Sequence, residues 1–106
     1  MGYKKERVKL EKLLVKVNGI NNYNDKSFDI LQHTQEEYSH TIRILKNKEP
    51  EVFMSHYTDE LQAIKVAKKT LKESVEDQTK EENFTAYKDL IVKALQKSID
   101  AALAIV

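Results

Sequence analysis

The sequence predicts an all-α fold, an antiparallel (up-down) four-helix bundle, and three observations carry that expectation. Apolar residues recur at spacings of three and four along most of the 106-residue chain, the pattern of helices that each bury one face. Only two glycines and one proline interrupt it, and Gly19 and Pro50 fall where one apolar pattern stops and the next restarts. An apolar fraction of 41 % can support one core without metals or disulfides, so residues 1–106 read as a single domain.

The first helix is expected near 3–17, where Tyr3, Leu10, Leu13, Leu14 and Val17 share a stripe. Asn18-Gly19 then predicts a left-handed helix closure, which both residue types tolerate. Asn18 to Lys26 holds four asparagines and reads as a loop with Ile20 and Tyr23 turned inward. The second helix is expected near 27–48, capped by the side-chain oxygen of Asp25 or Ser27. Its seam is the cleanest in the chain: Phe28, Leu31, Gln35, Tyr38, Ile42 and Leu45, with Gln35 as its one polar member.

The third helix is expected near 50–77. Pro50 suits its first turn, where a missing N–H costs nothing, and Phe53, Tyr57, Leu61, Ile64, Leu71 and Val75 form its stripe. The fourth, near 80–105, carries Phe84, Tyr87, Ile91, Leu95, Ser98, Ala102 and Ile105. At ~100° per residue the last two stripes lie about half a turn out of phase. One straight helix cannot bury both against the same neighbour, which predicts a break near Glu76–Lys80. Thr79-Lys80-Glu81-Glu82 fits a capping box there. The competing arrangement is one long two-faced helix from Pro50 to Ile105.

Composition narrows the function classes. With no cysteine there is no disulfide scaffold, thiolate metal site or cysteine nucleophile. Eighteen basic against 17 acidic residues leave a net charge of +1, which does not favour nucleic acid except through a local patch. No apolar run approaches the ~18 residues of a transmembrane helix. The charged stretch Met1 to Lys9 lacks the apolar core of a signal peptide, which makes the cytoplasm the expected compartment. Richness in Lys, Asn and Ile points to an AT-rich bacterial or phage genome.

Three groups of residues are candidate sites. His33, Glu36, Glu37 and His40 stand at i, i+3, i+4 and i+7 and share one helix face. Within it, Glu37-Tyr38-Ser39-His40 resembles the Glu-x-x-His spacing of ferritin-like di-iron proteins, which would imply metal binding by His33, Glu37 and His40. That fold needs a second Glu-x-x-His, and the fourth segment has none; the His33–His40 face also points away from the Phe28–Leu45 seam. The same outward face carries Ile30 and Ile44, each seven residues from Glu37. Ile30, Glu37 and Ile44 are therefore the expected partner-binding surface, unless neighbouring helices pack on both sides of the second helix.

The third group is the lysine cluster Lys65, Lys68, Lys69 and Lys72, a candidate anion-binding stripe. A second basic run, Lys4 to Lys16, opposes the macrodipole of the first helix and so serves no helix-stabilising purpose. No aromatic residue interleaves with Lys65–Lys72 to stack a base. His56 reads as a boundary histidine, and the tyrosines at the core edges as packing residues with wet hydroxyls. Nucleophile elbows, phosphate-binding glycine loops and His-Glu-x-x-His motifs are all missing from the sequence.

The expectation is a non-enzymatic helical bundle, without cofactor, that binds another protein. A second copy is the other candidate partner, through the apolar end Asp100–Val106. The alternatives are a ferritin-like metal-binding bundle and a nucleic-acid or anionic-surface binder. In size and outline the chain resembles small bacterial bundles that act as immunity proteins, secretion-system partners or adaptors.

Overall fold

The computed structural model describes residues 3–104, and its elements are all helical and packed as an all-α bundle. Helix α1 spans Lys4–Asn18, α2 Asp25–Lys48, α3 Pro50–Ser55, α4 Leu61–Glu73 and α5 Asp77–Ala104. A π turn, His56–Glu60, joins α3 to α4 without breaking the rod, so that α3, the π turn and α4 together form the third of four helices. The 28 residues of α5 reach about 42 Å at 1.5 Å per residue, close to the 48 Å long axis of the molecule. α5 is the spine: it packs most extensively on α4 and α1 and crosses the interior to α2.

The predicted stripes form the core. Leu10, Leu13 and Val17 of α1, Leu31, Tyr38, Ile42 and Leu45 of α2, and Phe53, Leu61, Ile64 and Leu71 of the third rod are buried. From α5, Phe84, Tyr87, Ile91, Leu95, Ser98 and Ala102 join them, and Ala94 and Ile99 widen the buried arc because three neighbours surround that helix. Ile105 lies outside the described residues. Tyr3, Leu14, Phe28 and Tyr57 are half-buried at the rim of the same core.

Several boundaries differ from the sequence expectation, each for a local reason. α2 begins at Asp25 because Asn24, not Asp25 or Ser27, is the cap; its side chain accepts from the Ser27 N–H at 2.8 Å. Gly19 stays right-handed at φ −78°, and α1 closes when the Ile20 N–H bonds to the Val17 carbonyl at 3.0 Å. No left-handed residue is therefore needed, and none occurs among the described residues. The loop that follows is pinned to α5: Ile20 is buried, its carbonyl accepts from Lys88 Nζ, and the Tyr23 ring lies 5.0 Å from that of Phe84.

The expected break is present but earlier, at Ser74–Glu76. Ser74 turns extended (φ −69°, ψ 139°), a conformation open to any L-residue, so neither Gly nor Pro is required. Its hydroxyl donates to the Thr70 carbonyl at 2.9 Å and accepts from Asn83 Nδ2 at 2.6 Å, clamping the turn from both sides. Val75 consequently leaves the stripe and is 86 % exposed. α5 starts at Asp77 with the Glu76 carbonyl accepting from the Lys80 N–H, two residues before the anticipated Thr79 capping box.

The π turn has a packing cause. At ~100° per residue Phe53 and Leu61 would stand about 80° apart on a regular helix. One extra residue in the turn removes most of that offset, and both side chains reach the core. Across the bundle diagonal two phenols are exchanged. Tyr38 of α2 meets Ser98 of α5 at 3.0 Å, and Tyr87 of α5 donates to Gln35 Oε1 of α2 at 2.5 Å. Ser98 also sits 3.2 Å from His56 Nδ1 on the π turn.

Truncating Ile42 to Ala should cost about 2–5 kcal/mol of unfolding free energy in urea melts. Val75→Ser should change it by less than about 0.5 kcal/mol. Burial pushes the Tyr38 hydroxyl up to about 12 from an ordinary 10.0. The folded state thus holds its proton more tightly than the unfolded chain. That contribution is complete below pH 10 and is lost as pH rises toward 12, so stability should fall through that window and fall less in Tyr38→Phe.

Candidate functional site: a basic furrow between α2 and α4

The π turn decides what α4 does next. α2 packs on α3 and on the π turn, but beyond Leu61 the rod leans on α5 and draws away from α2. The residues that should close this gap are those one heptad after Leu61 and Lys65, and they are Lys68 and Lys72. On α2 the facing seam position is Gln35. A furrow of about 490 Å³ results, lined by Gln35, Lys65, Lys68, Lys69, Lys72 and Glu73. The polar member of the α2 seam and the lysine stripe of α4 are thus two sides of one site.

Gln35 forms its floor. The residue is only 8 % exposed, and its Oε1 is occupied by the Tyr87 hydroxyl from α5. Its Nε2 forms no hydrogen bond within the described residues and is left to the furrow, an amide that can only donate. The Tyr87 hydroxyl is itself pushed well above the ordinary phenol range by burial, with Glu36 adding in the same direction, so it remains a neutral donor at any working pH. The floor is therefore rigid, uncharged and aimed outward.

Lysines form the wall. Burial lowers the Lys68 ammonium pKa below the ordinary lysine value and Lys72 lowers it further, with Glu36 across the furrow partly offsetting both. Among the described residues none of the four lysines is within ion-pair distance of a carboxylate; the pairs formed are Arg7–Glu11, His33–Glu36, Lys48–Glu6 and Lys97–Glu60. Glu36 relieves only part of the dehydration and repulsion at Lys68, and a bound anion would relieve more. Val66, beside them on the outer face of α4, is an exposed apolar residue.

The other candidate residues fall elsewhere. Glu37, His33 and His40 lie on the outer ridge of α2 and are exposed. They do not converge: His33 Nδ1 is 4.0 Å from Glu36, and His40 Nδ1 is 3.5 Å from the Arg43 guanidinium. Among the described residues no three His, Asp or Glu side chains gather as metal ligands. Di-iron ligands project into a bundle interior, and the interior here is filled by Tyr38, Leu31 and Ile42 instead.

Ile30 and Ile44 do not share an open patch with Glu37. Ile30 packs partly on the core, and Ile44 lines a narrow crevice against Lys5, Glu6 and Lys9 of α1. Helix α2 lies between α1 on one flank and α3 with the π turn on the other. That accounts for apolar residues on two of its sides.

Sequence reading missed the Tyr38–Ser98–His56 chain of hydrogen bonds. Burial lowers the His56 imidazole pKa, offset in part by Glu60, and Ser98 is 0 % exposed. A hydroxyl that no substrate can reach is not a nucleophile, so this serine–histidine pair is a core linkage. Among the described residues no helix is long and apolar enough to cross a membrane. Comparison with protein-family models, curated proteins and solved structures gave no match to this chain.

Because Lys68 occupies a position that a core residue would fill, Lys68→Leu should close the furrow against α2 and stabilise the bundle by about 0.5–2 kcal/mol. A chemical-denaturation midpoint that falls instead would show that Lys68 is held by contacts other than those described.

Proposed function

We propose that this protein is a non-enzymatic helical-bundle module that binds another protein, taking an acidic segment of it along the α2–α4 furrow. The observation that carries this reading is the juxtaposition of four lysines, unpaired among the described residues, with a buried, outward-directed amide. Surface lysines scattered singly are ordinary. Four of them lining a concavity where a helical bundle would otherwise close are a recognition device, because packing alone favours apolar residues there.

The chemistry favours a protein segment over a nucleic acid. The furrow contains no aromatic ring on which a base can stack. The chain is close to neutral overall, at +1. Exposed Val66 at the margin adds apolar contact of the kind that protein partners use. Lys-, Asn- and Ile-rich composition supports a bacterial or phage source.

The test is a pull-down from the native host's lysate with three baits: wild type, Lys65→Glu/Lys72→Glu, and Ile44→Lys. A protein retained by wild type and Ile44→Lys, lost from the charge-reversed bait and released by raised salt, is the expected result. Equal retention by the charge-reversed bait sinks the furrow reading. Loss from Ile44→Lys alone moves the interface to the α1–α2 side.

A further inference from the structure

We infer that the furrow is built for a phosphate-monoester dianion on the partner's docking segment, so that phosphorylation of the partner governs the contact. This rests on the reading of the furrow as the docking surface for an acidic segment. Its first ground is the floor. Gln35 is buried, its carbonyl end is fixed by Tyr87, and its two amide hydrogens have no acceptor in the fold. A fixed neutral donor beneath a set of ammonium groups suits a tetrahedral oxyanion with several oxygens, which takes hydrogen bonds from below and charge from the side.

The second ground is charge. Lys65, Lys68, Lys69 and Lys72 supply four positive charges, and Glu73 on the wall and Glu36 opposite supply two negative ones. The difference, four minus two, leaves two positive charges to be met. A carboxylate meets one of them; a phosphate monoester at neutral pH carries about −1.5 to −2.

The test is a nitrogen-15 NMR titration of the full chain that follows the Gln35 side-chain amide. The probes are phenyl phosphate, a phosphoserine peptide, the same peptide with Glu in place of phosphoserine, and a short single-stranded oligonucleotide, all at constant ionic strength. The expected result is a saturable shift of the Gln35 amide with both phosphate monoesters, at least tenfold tighter than with the Glu peptide. Lowering the pH from 7.5 to 5.0 converts most of the dianion to monoanion, since the second phosphate pKa is about 6, and should weaken monoester binding about tenfold.

The protein's own groups give the opposite sign. Protonating Glu36, Glu73 or His33, the titratable neighbours on α2 and α4, adds positive charge and would strengthen the binding of any anion. Tyr87, from α5, stays neutral throughout that range. Lys68→Met/Lys72→Met should abolish the saturable shift of the Gln35 amide, and Gln35→Leu should abolish monoester binding followed instead through the backbone amides of α4; the lysine pair leaves the Tyr87–Gln35 bond untouched and guards against a folding artefact in the second variant. Equal affinity for the Glu and phosphoserine peptides overturns the phosphate assignment while the acidic-segment reading stands. Shifts with neither peptide overturn both, and preference for the oligonucleotide assigns the furrow to nucleic acid.

Discussion

The bundle depends on finding a partner for two buried phenols. Tyr38 and Tyr87 are both fully buried, and a hydroxyl left unpaired there would cost about 1–3 kcal/mol. Each reaches across the diagonal, Tyr38 to Ser98 and Tyr87 to Gln35. These reciprocal bonds set the height of α2 against α5 in a way that apolar contacts, which tolerate sliding, do not. Once that height is set, the loop after α1 finds Phe84 and Lys88, and the π turn finds Ser98.

The same requirement couples the core to the candidate site. Gln35 is held because Tyr87 needs an acceptor, and holding it by its oxygen leaves its nitrogen outward. Lys68 and Lys72 then prevent the α4 side from closing over it. Stability and recognition therefore pull apart at α4. The apolar residues that would complete the bundle are the ones that would erase the furrow, a familiar tension where a fold carries a function.

Much of this was legible from residue order. Spacings of three and four located the core stripes of all four helices, and the phase shift between the last two required the break near Glu76. Gln35 stood out as the one polar member of a clean seam, and the Lys65–Lys72 stripe as a basic face. What could not be read was their meeting, which depends on the direction α4 takes after residue 60. The π turn that sets it carries no Gly or Pro, because it answers a long-range demand to bury both Phe53 and Leu61. Ser74 hid the break for a similar reason: its turn is stabilised by Asn83, nine residues away. Ile30 and Ile44 are half-buried, a degree of cover that periodicity cannot supply because it locates a face without saying which neighbour packs on it.

The one-residue surplus at His56–Glu60 also bears on how such a chain can change over generations. A π turn absorbs a single inserted residue within one turn of the rod. Losing that residue would restore a regular helix with its phase kept, since Phe53 and Leu61 would then stand seven residues and only about 20° apart. A regular helix of the present length would instead carry Leu61, Ile64 and Leu71 out of the interior and the lysines away from Gln35. Core and furrow are consequently locked to one phase of the helix. Loss of a single residue at this turn preserves that phase for both, and side-chain substitutions along the lysine wall remain free to retune what the furrow holds.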